Sequence, residues 1–340
     1  MNSAGSGVRD VAVARPLVES IVANGGKAYA AQLDLADLRP IERFASAEAR
    51  HPLHLLINNA DVMACPHLSI AQGFEMQLGV NHLGHFHVTS LLLPALKAAN
   101  GVRVVNLLSS GHHWGDFDFA DPQFENRNYD PLVAYGQAKT ANVLFTLELD
   151  RQFRGESIRA FAVMPGGIRT SLGRYMTDDI RKRLGTDTEA ARTIHWKTVE
   201  QGSATTLWAA FGEGLAETGG LYLEDCAEAV PWTEGMHNGV KAHALDQHNA
   251  ARLWAWSKAA VAAVTWEAYT MKIDFDGKVA LVTGVGAASA DLSPQRQRSD
   301  RRDLVADRNH AWLAGMDGYA ASKSGMNGLC RNLALEFAKL

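Results

Sequence analysis

Apolar runs of strand length alternate along this chain with longer segments of helical period. "KAYAAQL" (27–33) precedes a helix predicted from Ala36 to about Arg50. "LHLLINN" (53–59) precedes a helical stretch from about Ile70 to Ala99, and "VRVVNLLSS" (102–110) leads into a loop rich in Gly, Asp, Asn and Pro. A helix from about Pro131 to Phe153 follows, then "SIRAFAVMP" (157–165), a polar stretch over 171–195, the helix "KTVEQGSATTLWAAF" and the short strand "GLYLE" (220–224). Such alternation predicts a doubly wound α/β fold, a parallel sheet with helices on both faces. The strands are nearly continuous apolar runs, as buried parallel strands are. In this architecture the loops at the carboxyl ends of the strands form the ligand crevice. Three predicted strands end there in Asn58-Asn59, Ser109-Ser110 and Pro165-Gly166.

The amino end departs from this pattern. Gly5 and Gly7 follow no apolar run, so no opening strand and glycine-rich turn is predicted there. Leu17, Val18, Ile21 and Val22 instead mark one helix face, closed by Gly25-Gly26. Composition adds few constraints. With 47% hydrophobic and 21% charged residues over 340 positions, the chain is of ordinary globular character. A formal net charge of −4 gives no reason to expect nucleic acid as a partner. No stretch reaches the roughly 18 uninterrupted apolar residues that span a bilayer, and no signal-peptide core is present at the amino end. Cys65, Cys226 and Cys330 are too far apart to read as a disulfide framework or a metal pair, which suits a cytoplasmic location, and Cys65 and Cys226 are expected as buried small hydrophobes. His82, His85, His87 and the pair His112-His113 match no zinc spacing, so no metal site is expected.

The candidate chemistry centres on "AYGQAKTANVLF". Tyr135 and Lys139 stand four apart, on one helix face. A tyrosine titrates near pH ~10 and needs roughly three units of help to act as an acid/base near neutrality. An ammonium one turn away favours the phenolate and supplies part of that help. Ser110, at a strand end, is placed to hold a carbonyl oxygen while Tyr135 supplies a proton. Asn81 in the intervening helix, Asn58 to Ala60, Pro165-Gly166, Thr170 and Asp34 complete the set of polar or special residues near strand ends.

Together these stretches resemble the short-chain dehydrogenase/reductase family, most closely its retinol-dehydrogenase-like branch. The resemblance runs from about Arg9 to Ser257 and includes "GFEMQLGVNHLGHFHVTSLLLPALK", "RVVNLLSSGHHWG", "AYGQAKTANVLFTLEL" and "GGLYLEDC". It implies an oxidoreductase that transfers a hydride between a nicotinamide cofactor and an alcohol/carbonyl pair, with an apolar small-molecule substrate. Tyr135 would be the acid/base, Lys139 would bind the ribose and lower the tyrosine pKa, Ser110 would orient the carbonyl, and Asn81 would hold a water in the proton relay. Asp34 and Leu35 would approach the adenine, Asn58, Asn59 and Ala60 would line the cofactor crevice, and Pro165, Gly166, Ile168 and Thr170 would flank the nicotinamide. Arg9 matches a basic residue that often meets a 2′-phosphate in relatives and points to NADP(H) over NAD(H). The family habit also implies a homo-oligomer. The stretch after Thr170 is expected as a substrate lid.

Two departures stand out. Asp61 occupies the place of the family's glycine after Asn58-Asn59-Ala60 and adds bulk and negative charge near an anionic cofactor. The family's first strand, glycine-rich loop, first helix and most of the second strand are not found ahead of Asp34, which leaves an impaired enzyme, or a non-catalytic relative serving as a binding module, as alternative readings. The resemblance then restarts at "MKIDFDGKVALVTG" (271–284) and again at "GYAASKSGMNG" (318–328), where Tyr319 and Lys323 repeat the spacing. Between them lies mostly polar sequence, of which the charged run 294–303 is read as a solvated linker. We therefore divide the chain into a dehydrogenase-like unit, 1–270, and a fragment of a second family member fused to it, 271–340. Three arrangements of the fragment follow: a tail outside the fold, a strand 278–284 inserted into the vacant first-strand slot, or a helix 319–339 packed on a partner.

Overall fold

The computed structural model describes residues 3–186, 196–266, 272–275, 278–281 and 310–316, the last three segments by their backbone. The chain forms β1 (Ser3–Val8), α1 (Val11–Ala23), β2 (Ala28–Gln32), α2 (Leu38–Glu48), β3 (Leu53–Asn58), α3 (Met76–Leu78), a π-helical turn (Gly79–Gly84) and α4 (His85–Lys97). It continues through β4 (Val102–Leu107), a 3-10 turn (Ser110–Trp114), α5 (Pro131–Phe153), β5 (Ile158–Met164), α6 (Asp178–Arg183) and α7 (Val199–Phe211). Then come β6 (Leu221–Glu224), β7 (Ala227–Glu228), α8 (Gln247–Trp266), β8 (Lys272–Phe275), β9 (Lys278–Leu281) and β10 (His310–Met316). Eight strands make one sheet in the order β2-β1-β10-β3-β4-β5-β6-β7, parallel except for β7. The doubly wound α/β expectation is met. One apolar layer lies between the sheet and α2, α4, α5 and α8, and holds Leu56, Val104, Phe145 and Ala160. The opposite layer packs Ile57, Val105, Phe161 and Val163 against α1 and α7.

Two expectations about the sheet are corrected. The amino-terminal "SAGSGV" is a full strand, although small residues carry little β propensity. It is held by parallel partners on both sides, and its missing side-chain volume is filled from across the layer. A Cβ on Gly7 would stand 2.8 Å from Leu33 Cδ2 and 3.2 Å from Phe44 Cζ. The second correction concerns the slot between β1 and β3. It is filled by His310–Met316, a segment past the run 294–303 read as linker, and not by 278–284. Lys278–Leu281 pairs antiparallel with Lys272–Phe275. The sequence reason is the Asp276-Gly277 pair between the two runs, a strong hairpin signal that outweighs their likeness to an opening parallel strand. A strand closed into a two-residue hairpin has one side already paired, whereas the slot between β1 and β3 requires both. Tyr319, Lys323 and helix 319–339 lie outside the described residues.

The predicted helix 70–99 is shorter and interrupted. Gly73 turns at φ 84°, and the Glu75 carboxylate caps α3 by accepting from the Gln77 and Leu78 N–H groups at 3.0 and 2.7 Å. Cys65 is buried as expected, but Cys226 is exposed in the β6–β7 turn, where its N–H donates to Thr205 Oγ1 at 3.1 Å. No helix among the described residues is long and apolar enough to cross a membrane.

Candidate active site

The in-register parallel pairings bring the carboxyl ends of β1, β2, β3, β4, β5 and β10 to one edge of the sheet. α5 delivers the central side chains to that edge. Asp130 caps it, accepting from Leu132 and Val133 N–H at 2.9 and 3.1 Å, and Pro131 sits in the first turn, where no intrahelical N–H is needed. Tyr135 and Lys139 then fall one turn apart, each only 1% exposed. The helix lies directly on the turn after β4. A Cβ on Gly136 would stand 2.7 Å from Gly115 N and 2.8 Å from Gly111 O, and one on Gly111 would stand 2.7 Å from the Tyr135 ring. The three glycines let the tyrosine rest against the backbone that carries the serines.

Of the two serines, Ser109 is the one whose hydroxyl acts on Tyr135, drawing its pKa down. The sequence expectation named its neighbour, Ser110. Ser109 is still extended (φ −154°, ψ 155°) and caps the 3-10 turn, its Oγ accepting from Gly111 N–H at 3.0 Å, whereas Ser110 has already entered the turn. Two adjacent serines at a strand end look alike in sequence, and only the point at which the chain leaves the extended conformation separates them.

Asp61 is the residue that sequence reasoning underestimated. Its Oδ2 accepts from the Tyr135 hydroxyl at 2.7 Å and lies 3.0 Å from Lys139 Nζ. Lys139 Nζ also donates to the Leu107 carbonyl at 3.3 Å. The ammonium expected to acidify the phenol is thus engaged by a carboxylate that faces the same phenol. Burial, then the Asp61 charge and the bond to it, push the Tyr135 hydroxyl well above its ordinary range, and only the Ser109 bond acts the other way. The Asp61 carboxyl is itself pushed up by burial, against the opposing pull of Lys139, Tyr135 and Arg174. Its Oδ1 is buried and meets no partner among the described residues.

Asn81 lies in the π-helical turn, a local widening of the helix that is frequent at functional sites. Its side chain clamps the backbone after Asp61, Oδ1 accepting from Val62 N–H at 2.9 Å and Nδ2 donating to Val62 O at 2.8 Å. Its main-chain oxygen accepts from His85 Nδ1 at 3.0 Å. His85 is buried, which lowers its pKa to about 4, so the neutral ring must carry its proton on Nδ1.

The expected cofactor-facing residues are spread along the same edge. Arg9 follows β1 and is exposed, while Asp34 and Leu35 follow β2, the Asp34 carboxylate accepting from Ala36 N–H at 2.9 Å. Asn58 is turned into the core, donating to Thr89 Oγ1 at 3.0 Å and to Asn106 Oδ1 at 2.7 Å, so its side chain does not line the edge as expected. Its helix-side position, set by the strand's two-residue alternation, leaves Asn59 and Ala60 to carry the chain toward Asp61. Beyond β5, Gly166 takes φ 99°, and Lys197 Nζ donates across it to Pro165 O at 3.1 Å and pairs with Asp225. Ile168 fills the space left by Gly202 of α7, and Thr170 caps the following turn through Leu172 N–H at 3.3 Å. The segment after Thr170 buries Ile180 against Ala64 and Leu132, with Met63, Trp114 and Met176 packed around them. This apolar cluster reaches Tyr135 through Trp114, the ring centroids 6.0 Å apart.

Residues 7–181 match the short chain dehydrogenase family. A probable oxidoreductase of Streptomyces lividans is 41% identical over 251 residues, covering 72% of this chain and 84% of that protein. Retinol dehydrogenase 11 of Mus musculus is 42% identical over 236 residues, covering 68% and 69%. Among solved structures, an uncharacterized protein from Mycobacterium Paratuberculosis superposes with a TM-score of 0.54 at 29% identity, covering 76% of this chain and 92% of its own. A short chain dehydrogenase from Burkholderia cenocepacia, solved with NADP, shares the fold at a TM-score of 0.51 and 20% identity, over 65% of this chain and 84% of its own. With a family match over half its length and these relatives, the chain belongs to the short-chain dehydrogenase family of oxidoreductases.

Proposed function

We propose that this protein interconverts an alcohol and a carbonyl compound with a nicotinamide cofactor, using Tyr135 as the acid/base. The observation that carries the reading is the placement of Tyr135 and Lys139 on one face of α5, both buried, beside the serine-bearing turn after β4 at the carboxyl edge of the sheet. The donor set suits the ribose end of such a cofactor. Lys139 offers an ammonium beside the tyrosine, and Asp61 Oδ1 is a buried acceptor lacking the kind of donor that a ribose or substrate hydroxyl provides. When bound, the cofactor supplies the hydride acceptor or donor. The protein's residues do the rest. Ser109 holds the substrate oxygen, Tyr135 moves its proton, Lys139 engages the ribose, and Asn81 fixes the Asp61 loop against them. Asp34 and Leu35 would border the adenine, and Pro165, Gly166, Ile168 and Thr170 the nicotinamide. Arg9, beyond β1, favours NADP(H).

The apolar cluster of Met63, Trp114, Leu132 and Met176 beside Tyr135 supports an apolar substrate, as does the similarity to retinol dehydrogenases. The segment that buries Ile180 over this cluster supports the lid reading. We retain residues 1–270 as the dehydrogenase unit and read 271–340 as a fused piece of a second family member that lends β10 to the sheet. The test is a fluorescence titration of the purified full chain with NADPH and NADH, followed by turnover with apolar alcohols. Binding by the wild type, and loss of turnover with retained affinity in Tyr135→Phe, is the expected result. Retained turnover rejects Tyr135, and no binding up to about millimolar cofactor, against typical Michaelis constants no higher than that, favours a non-catalytic binding module. Ser109→Ala should reduce kcat about a hundredfold, the scale of a lost polar contact to a developing oxyanion, and Ser110→Ala should leave it nearly unchanged.

A further inference from the structure

The glycine that the family resemblance leads one to expect after Asn58-Asn59-Ala60 would place no functional group near Tyr135, whereas Asp61 places a carboxylate in direct contact with it. A phenol has one proton to donate. Here that proton is directed at Asp61 Oδ2, 2.7 Å away, and not outward to a substrate oxygen. The same Oδ2 is 3.0 Å from Lys139 Nζ, so the positive charge that would stabilise a phenolate is already balanced. A mechanism that waits for free tyrosinate is therefore poorly served by this geometry. A mechanism in which the tyrosine stays protonated and exchanges protons on both sides is well served. Asn81 holds the Asp61 loop in place through both polar groups of Val62.

We propose that Asp61 is the terminal proton acceptor and donor of this site, with Tyr135 acting as a neutral relay between the substrate oxygen and the Asp61 carboxylate. This rests on the oxidoreductase reading above. In alcohol oxidation the substrate C–H bond breaks and its electron pair leaves as hydride to the oxidised nicotinamide. The substrate O–H bond breaks and its proton bonds to Tyr135 Oη as the tyrosine's own proton bonds to Asp61 Oδ2. The products are the carbonyl compound, the reduced cofactor and a protonated Asp61, which keeps its proton until product and cofactor leave and water enters the site to take it. Carbonyl reduction runs the same path backwards. The charged and titratable groups around Asp61 are Tyr135 and Lys139 from α5, Arg174 from the turn after Thr170, and His85, near Lys139, from α4. His85 is neutral above about pH 4, and burial raises the Asp61 carboxyl, so the carboxyl is assigned as the group that limits the relay on the acid side.

Two measurements test this on the full chain. The first needs no cofactor. Tyrosinate absorbance is followed against pH in the wild type and in Asp61→Gly, each corrected by its Tyr135→Phe counterpart, with melting curves to establish folding. Tyr135 should remain a phenol in the wild type up to alkaline unfolding, and in Asp61→Gly it should ionise at least about one pH unit lower, now that Lys139 is free to favour the phenolate. Asp61→Asn, which keeps the volume and removes the charge, serves if the glycine variant does not fold. An unchanged titration overturns the pairing. The second is the pH profile of kcat/KM for alcohol oxidation. The wild type should show one acid limb, lying above the ordinary carboxylate range. Both variants should lose at least about tenfold at neutral pH and recover as the pH rises toward tyrosine ionisation. A variant as fast as the wild type at neutral pH, or faster, overturns the relay and leaves Asp61 as an obstruction. A wild type that binds no nicotinamide and oxidises no alcohol defeats the oxidoreductase reading itself, whatever the titration shows. Wild-type turnover with an unaltered Asp61→Asn profile defeats the relay alone.

Discussion

Gly136 stands next to Tyr135 in α5 and faces backbone, not side chains, across the interface. Its nearest neighbours, Gly115 N, Gly111 O and Trp114 C, lie 2.7 to 3.0 Å from where a Cβ would be. Backbone atoms in a packed turn have no rotamer with which to yield. Gly136→Ala is therefore expected to push α5 off the Ser109 turn and to destabilise by about 1–3 kcal/mol, the usual range for overpacking, even though alanine is the better helix former. Urea unfolding monitored by circular dichroism measures it, and a gain in stability would show that the two elements are not in contact. The spacing of Tyr135 and Lys139 was legible in the sequence because helix geometry alone puts residues four apart on one face. The choice between Ser109 and Ser110 was not, nor was the reach of Asp61 across 74 positions to Tyr135, because both depend on how separate segments meet. Reading Asp61 as added bulk beside a cofactor left out what its carboxylate bonds.

At the scale of elements, α5 and the strands from β2 to β6 matched the hydrophobic pattern to within a few residues, since both periods are set locally. β1 and β10 did not. β1 is built of small residues whose strand character comes from neighbours on both sides, and β10 is a short apolar run that follows the charged stretch 294–303. Without β10, β1 and β3 would each present a row of unpaired backbone groups beside apolar layers. A chain ending at residue 305 should therefore lose soluble yield and melt lower, whereas internal deletion of 271–282, which removes only the β8–β9 hairpin, should leave the melting temperature close to that of the full chain. Equal stability of the two proteins would remove β10 from the sheet. The comparison also separates this arrangement from insertion of 278–284, which predicts the opposite order.

For the molecule as a whole, burial of neutral histidines sets the response to acid. Burial lowers the pKa of His82 to about 3, His85 to about 4, His87 to about 4 and His112 to about 3, from an ordinary value of 6.5. The unfolded chain takes up these protons near pH 6.5 and the folded chain does not, so their contribution is complete above that value and is lost as the pH falls toward about 4 and then 3. Asp61, Glu75 and Glu224 act with the opposite sign. Burial raises their pKa values, so what they contribute is present in acid and lost as the pH rises through their folded values. With four histidines titrating below 6.5, the melting temperature should drop steadily from neutrality to about pH 4, and His112→Gln should flatten part of that slope. A melting temperature constant over this window would mean that the histidines protonate freely in the folded protein.

The sequence by itself determined the alternation of strands and helices from β2 to β6, the parallel doubly wound architecture and the shared face of Tyr135 and Lys139 on α5. Each follows from periodicity or helix geometry within a short window, where covalent connection keeps the relevant residues together. Tertiary structure alone decided which strand fills the gap between β1 and β3, which serine meets Tyr135, and that Asp61 lies between the tyrosine and Lys139. These are contacts between segments far apart in the chain, chosen by backbone pairing and close packing across the whole fold, and no local pattern encodes them.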